Sequence, residues 1–218
     1  MHKEKYFTAD NIATEAAAIA SALPINRRAA AFSLTNSALL IIDMQRYFLC
    51  PSSHAFLPAA PAIIPNINAI IVLFKKAERP VYFARHANSA KDAGQMSVWW
   101  RELLTKDHPL GEIQHTLHIH KYPIIEKTQY DAFFNTDLES RLRQSSTKQL
   151  VITGVSTHLC CESTARSAFM RGFAVFITID GTATLNRELH YASLNGLAHG
   201  CAIPVLTSDL IATSPETS

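Results

Sequence analysis

An aspartate, a lysine and a cysteine stand where the chain offers them for joint chemistry. Asp43 closes the apolar run ALLIID, Lys127 closes PIIEK, and Cys160 follows QLVITGVSTHL. A thiol of pKa about 8.5 is largely protonated at neutral pH, whereas the nucleophile is the thiolate. With Thr157 as helix cap, Cys160 falls in a first turn, where unpaired N–H groups and the positive end of the helix dipole favour an anion. Lys127 would add a cation. Asp43 would take the thiol proton and return it to a leaving amine, the acid–base alternation of covalent hydrolysis. Each residue also has a plainer reading: an Asp after a strand caps a helix, a Lys is solvated, and a small Cys packs in a core. Joint placement favours the chemistry, because in open parallel sheets the ligand crevice lies beyond the carboxyl ends of the strands, where all three fall.

Cys161 competes for the nucleophile's role, but adjacent helix residues point about 100° apart, so one of the two faces the crevice. Cys161 shares its face with Ala165 and Phe169 and is read as core. Arg85 and His86 follow PVYFA and reach towards the same crevice; the arginine either holds a substrate carboxylate by its fork or pairs with neighbouring acids. Trp99 and Trp100 lie in the helical segment MSVWWRELL, one packed inward and one facing away, with core, subunit interface and ligand pocket all open to them. Phe48, Tyr130 and Phe133 flank the three chemical residues and are assigned to the pocket wall, together with Gln45 and Thr157. HTLHIHKY brings His115, His118 and His120 to metal-like spacings, but is read as a solvated polar strand or loop, so no metal and no other cofactor is expected.

The elements that must position these residues are apolar runs without clean alternation: ALLII, PVYFA, QLVIT, FAVFIT and CAIPVL, with PIIEK as a shorter sixth. A strand that is apolar on both sides is covered on both faces, as in a parallel sheet packed between helices. Between the runs, Ile63, Ile67, Ile70, Ile71 and Phe74 recur at helical spacing, as do Leu138 and Leu142, and Leu159, Ala165 and Phe169. Strand and helix alternate, which predicts a doubly wound α/β domain with right-handed crossovers. Pro204 removes a ladder hydrogen bond and places the last strand at an edge. Residues 9–23 read as an Ala-rich helix followed by the basic turn PINRR, so residues 1–36 form an N-terminal helical arm ahead of a domain spanning 37–218.

With 218 residues, about half of them apolar, the chain can bury a substantial core as one domain without metals or disulfides. Its net charge of +2 is spread over mixed-sign positions, leaving no block that marks a nucleic-acid or membrane partner. A small molecule is the expected partner. The four cysteines form no CxxC pair and MHKEKYFTAD has no apolar signal core, so a reducing, cytoplasmic setting is expected. No stretch reaches the roughly 20 apolar residues of a membrane-spanning helix.

From about Ser37 onward the sequence resembles the isochorismatase-like hydrolases. LLIIDMQRYF is similar to the family's first-strand motif carrying its catalytic Asp, EKTQYDAFFNTDL to its Lys motif, and GVSTHLCCESTARSAFMRG to the segment carrying its nucleophile. The resemblance implies catalytic roles for Asp43, Lys127 and Cys160 and a three-layer α/β/α sandwich on a six-stranded parallel sheet. It further implies a cis peptide between Val155 and Ser156, an oxyanion hole from the backbone N–H groups of Ser156 and Cys160, and assembly as a dimer or tetramer. Two departures matter. Members that hydrolyse the vinyl ether of isochorismate often lack the cysteine, so Cys160 points towards C–N bond hydrolysis, with vinyl-ether hydrolysis by Asp43 as acid the alternative. Nicotinamidase-like members bind a metal through an Asp-x-His pair and a further His, whereas CPSSHAFLPAAP offers His54 without such a pair.

Overall fold

The computed structural model describes residues 2–25, 30–119 and 121–213. Its strands are β1 (Ser37–Ile42), β2 (Val81–His86), β3 (Ile124–Lys127), β4 (Gln149–Val155), β5 (Ala174–Ala183) and β6 (Ile203–Val205). They form one parallel sheet in the order β3-β2-β1-β4-β5-β6. Every residue of β1 and β4 is buried, which is why their sequences show no polar alternation. The three-residue β6 carries Pro204 and pairs with β5 alone, so the missing N–H falls at an edge.

The helices are α1 (Ile12–Ala22), α2 (Arg46–Leu49), α3 (Ile64–Lys76), α4 (Met96–Trp99), α5 (Leu138–Gln144), α6 (Glu162–Met170), α7 (Arg187–Gly200) and α8 (Thr207–Ala212). They cover both faces of the sheet; α3 packs on α8, and α6 on α7. α3 buries Ile67, Ile70, Ile71 and Phe74, the stripe its spacing predicts. The chain leaves β1 towards β3 on one side and resumes at β4 on the other, so the direction of winding reverses between β1 and β4. Such a switch point opens a crevice at the carboxyl ends of the two strands. Asp43 lies at the end of one of them and Ser156 at the end of the other.

The N-terminal segment joins the common core, since Phe7 and Ile19 are buried in it. α1 begins at Ile12 rather than at residue 9, because Thr8 and Asn11 exchange hydrogen bonds in a turn just before it. The turn PINRR falls largely outside the described residues. MSVWWRELL is helical for one turn only, and Trp99 and Trp100 are both substantially exposed, so neither packs inward as expected. Phe169 is 52% exposed and does not share the buried face of Cys161 and Ala165. His115 and His118 fall in a loop, and His120 lies outside the described residues. No helix among the described residues is long and apolar enough to cross a membrane.

Candidate active site

Asp43, Lys127 and Cys160 meet at the switch point. Asp43 turns the chain out of β1 in a left-handed conformation (φ 50°) that Asp tolerates better than most side chains. Lys127 ends β3, two strands away from β1. Strands lie about 4.8 Å apart, so the gap is near 10 Å and only a long side chain crosses it. Its Nζ lies 2.8 Å from Asp43 Oδ2, 3.0 Å from the Gln129 carbonyl oxygen and 3.4 Å from Cys160 Sγ. The ammonium thus makes an ion pair with Asp43 and hydrogen bonds to the Gln129 carbonyl and the Cys160 sulfur. Both carboxylate oxygens of Asp43 are buried, with the Lys127 ammonium against Oδ2.

Electrostatics fix the resting protonation. Burial, and then the charge of Asp43, push the Cys160 thiol well above the ordinary cysteine range, with Lys127 opposing them. Burial alone would lower Lys127, but Asp43 and Cys160 outweigh it and raise it, so it stays an ammonium. Cys160 is therefore held towards its thiol form. This corrects the expectation of a thiolate favoured by a Thr157-capped helix. Thr157–Cys161 form a π-helical turn with Ser156 at the cap position and no side-chain cap bond. Thr157 turns into the core, where its hydroxyl bonds to His190 Nδ1 at 2.9 Å. The Val155–Ser156 peptide is cis, as the family resemblance implies. Cys161 is fully buried, in keeping with a core role.

Asp43 and Cys160 open into a cavity of about 460 Å³. Phe48, His86, Trp99, Trp100 and Tyr130 line it as expected, as do Ser156 and Cys160. The Trp100 indole N–H donates to the Tyr130 hydroxyl at 2.9 Å, joining two walls. Gln45, Arg85, Phe133 and Thr157 are not among the lining residues. Gln45 is buried and clamps the β2 terminus: its amide donates to the carbonyls of His86 and Gly111, and its oxygen accepts from the His86 N–H at 2.9 Å. Arg85 points to the opposite side of its strand and pairs with Glu112 and Glu126. Phe133 stacks on Phe173, with the Arg171 guanidinium 4.9 Å above its ring.

Sequence reasoning missed Lys3, Tyr47, Asn88 and His158, which also line the cavity. Asn88 was legible, since it lies two residues beyond His86; its side chain bonds the His86 ring and the Thr128 carbonyl. Burial, followed by the nearby Lys127 charge, lowers the His86 pKa, so its imidazole is neutral. Lys3 had no signal, because nothing in its neighbourhood ties the N-terminus to the sheet.

A buried thiol, ammonium and carboxylate at the switch point of a doubly wound parallel sheet define an α/β enzyme architecture. Residues 37–209 match the family model of the isochorismatase domain, and the chain belongs to the isochorismatase-like hydrolase superfamily. Nicotinamidase 3 of Arabidopsis thaliana is 39% identical over 172 residues, covering 76% of this chain and 82% of that protein. Enterobactin synthase component B of Escherichia coli (strain K12) is 32% identical over 192 residues, 87% of this chain and 67% of that protein. A cysteine hydrolase from Pseudomonas syringae pv. phaseolicola 1448A shares the fold with a TM-score of 0.81 at 22% identity, over 88% of this chain and 97% of its own. The pyrazinamidase of Pyrococcus horikoshii, solved in complex with zinc, gives a TM-score of 0.72 at 26% identity, over 78% of this chain and 99% of its own.

Where nicotinamidase-like members have an Asp-x-His pair, this chain has Ser52 ahead of His54, so its donor set does not fit such a site. His54 Nδ1 and His108 Nε2 lie 3.1 and 3.8 Å from one oxygen of Glu102, and His54 Nε2 is 3.3 Å from the Tyr47 hydroxyl. Among the described residues no three His, Cys, Asp or Glu side chains are placed to share a metal ion.

Proposed function

We propose that this hydrolase cleaves the C–N bond of a small amide through a thioester on Cys160. One observation carries the reading: a thiol, a carboxylate and an ammonium share one buried cluster, and the thiol and the carboxylate face a cavity. Asp43 takes the Cys160 proton as the sulfur attacks the carbonyl carbon, so charge separation arises only when a substrate receives it. The tetrahedral oxyanion is held by the backbone N–H groups of Ser156 and Cys160, each such donor being worth about 3 kcal/mol in the transition state. Asp43 then protonates the departing amine or ammonia, leaving the thioester. Water attacks that thioester with Asp43 as base, releasing the acid and restoring the thiol. Lys127 keeps the carboxylate oriented and stabilised throughout.

The cavity suits a flat, largely apolar acyl half. Tyr47, Phe48, Trp99, Trp100 and Tyr130 supply aromatic faces, and no arginine lines the cavity among the described residues. An uncharged aromatic carboxamide, the substrate type named by the Arabidopsis relative, finds stacking surfaces there. The deciding experiment incubates the protein with nicotinamide and related small amides, following ammonia release and intact mass. A transient acyl adduct on Cys160, absent in Cys160→Ala together with turnover, is the expected result, while Cys161→Ala keeps most activity. Undiminished hydrolysis of any substrate by Cys160→Ala overturns thioester chemistry and leaves acid catalysis of a vinyl ether by Asp43 as the reading.

A further inference from the structure

The family match begins at residue 37, yet the residues before it reach the walls of the cavity. On one wall, the Lys3 ammonium donates to the carbonyl oxygens of His54 and Phe56, the latter at 2.8 Å. Lys3 lines the cavity beside His54, Ala55 and Leu57. On the other wall, the Glu4 N–H donates to the Leu185 carbonyl at 2.9 Å, and the Tyr6 hydroxyl accepts from the Thr184 N–H at 2.9 Å. Thr184 in turn bonds His158 through its hydroxyl, and both His158 and Leu185 line the cavity.

A third line of contact runs beneath the nucleophile. Tyr6 and Phe7 pack on the ring of His190 with centroids 5.3 and 5.4 Å away. His190 is fully buried, and burial lowers its pKa to about 3, so the ring is neutral at any working pH. The Ile179 carbonyl, 3.1 Å from Nε2, only accepts, so Nε2 carries the hydrogen. Nδ1 must then accept, and the Thr157 hydroxyl donates to it at 2.9 Å. The Ser193 hydroxyl donates to the Thr157 carbonyl at 3.2 Å. Thr157 is thus held from its side chain and its backbone. It is the first residue of the turn that presents Cys160.

We propose that the N-terminal segment from Lys3 to Phe7 is a working part of the active site: through His190 and Thr157 it positions the nucleophile turn, and through Lys3 it positions the facing wall of the cavity. Segment, His190 and Thr157 are positioning residues that touch no reacting atom. If the segment merely covered apolar surface, its loss would lower stability without separating kcat from KM. Positioning makes the separation specific, because misplacing a nucleophile by about 1 Å costs on the order of a hundredfold in rate. The inference rests on the reading of Cys160 as nucleophile.

The test uses the full chain with His190→Leu, His190→Gln, Thr157→Val and Lys3→Met, and Leu142→Ala on α5 as a control for general destabilisation. Nicotinamide hydrolysis is followed as ammonia release, and hydrogen exchange of the 155–161 backbone by mass spectrometry. His190→Leu and Thr157→Val are expected to lower kcat about tenfold or more with KM little changed. His190→Gln, whose amide can accept from Thr157 and donate to Ile179, restores kcat to within about threefold. Lys3→Met raises KM instead. Exchange at 155–161 quickens in His190→Leu and Thr157→Val but not in Leu142→Ala. Folded His190→Leu and Thr157→Val with wild-type exchange at 155–161 would overturn the inference. Should His190→Leu not fold, the nearly isosteric Thr157→Val decides alone. If the wild type leaves nicotinamide intact, the substrate reading fails, and the exchange measurement still decides the positioning.

Discussion

Lys127 is 1% exposed, and a lysine so deep in a protein persists only while every hydrogen of its ammonium has a partner. Its partners are Asp43, the Gln129 carbonyl and Cys160, so the contacts that hold the cation also draw the carboxylate and the thiol together. Removing one member of a buried pair strands the other charge, which costs about 3–5 kcal/mol. Lys127→Met, similar in length, should therefore lose about that much in urea unfolding and lose turnover with it. A loss below about 1 kcal/mol would mean that Asp43 is stabilised by something other than this ammonium. That Asp43, Lys127 and Cys160 would come together was legible in sequence, because strand ends are easy to locate and the fold sends strand ends to one crevice. Among the neighbours, Phe48, His86, Trp99, Trp100 and Tyr130 line the cavity as the sequence suggested, whereas Arg85 does not, because direction changes at every residue of a strand. His86 and Arg85 are adjacent in β2, yet one faces the cavity while the other turns to Glu112 and Glu126.

Between β1 and β4, the strands that lead to Asp43 and to the turn holding Cys160, the backbones approach so closely that only glycine fits. A Cβ on Gly154 would lie 2.0 Å from the Ile42 carbonyl oxygen, and its φ of +111° is itself unfavourable for other residues. Gly172 also has a positive φ, of +81°, but nothing surrounds it within 4 Å. The pair separates strain from collision. Gly172→Ala should cost about 1–2 kcal/mol, and Gly154→Ala markedly more, since β4 must move off β1 as well. Equal shifts of the two thermal midpoints would show that β4 yields without penalty. The strands themselves were readable, because a strand buried on both faces is a continuous apolar run. The π-helical turn at Thr157–Cys161 was not, because its cause is tertiary: Thr157 turns inward to His190, and that contact is written in no local periodicity. α4 stops after one turn for a similar reason, with Trp100 drawn away to Tyr130.

At the scale of the whole molecule, a net charge of +2 makes self-repulsion small near neutrality, so individual buried groups set the pH limits of stability. On the acid side, burial lowers the pKa of His86, His158 and His190, the last to about 3. An unfolded histidine takes a proton near pH 6.5, while these folded ones resist it, so the unfolded state binds more protons below that point. Stability is then complete above about pH 6.5 and falls as the pH drops towards the folded values, His190 alone contributing on the order of 1 kcal/mol per unit. On the alkaline side, burial raises the thiols of Cys160 and Cys161, so the unfolded chain loses protons first. Their contribution is complete below about pH 8.5 and is lost as the pH rises above it. Unfolding free energy should therefore peak between about pH 6.5 and 8.5 and decline on both sides. Urea titrations across that range test the shape, and two variants test the cause: His190→Gln should flatten the acid limb and Cys161→Ala the alkaline one. If both variants merely shift the curve downward with its slopes intact, the limits arise from other groups, because a constant offset is what lost packing gives and only a removed titration changes a slope.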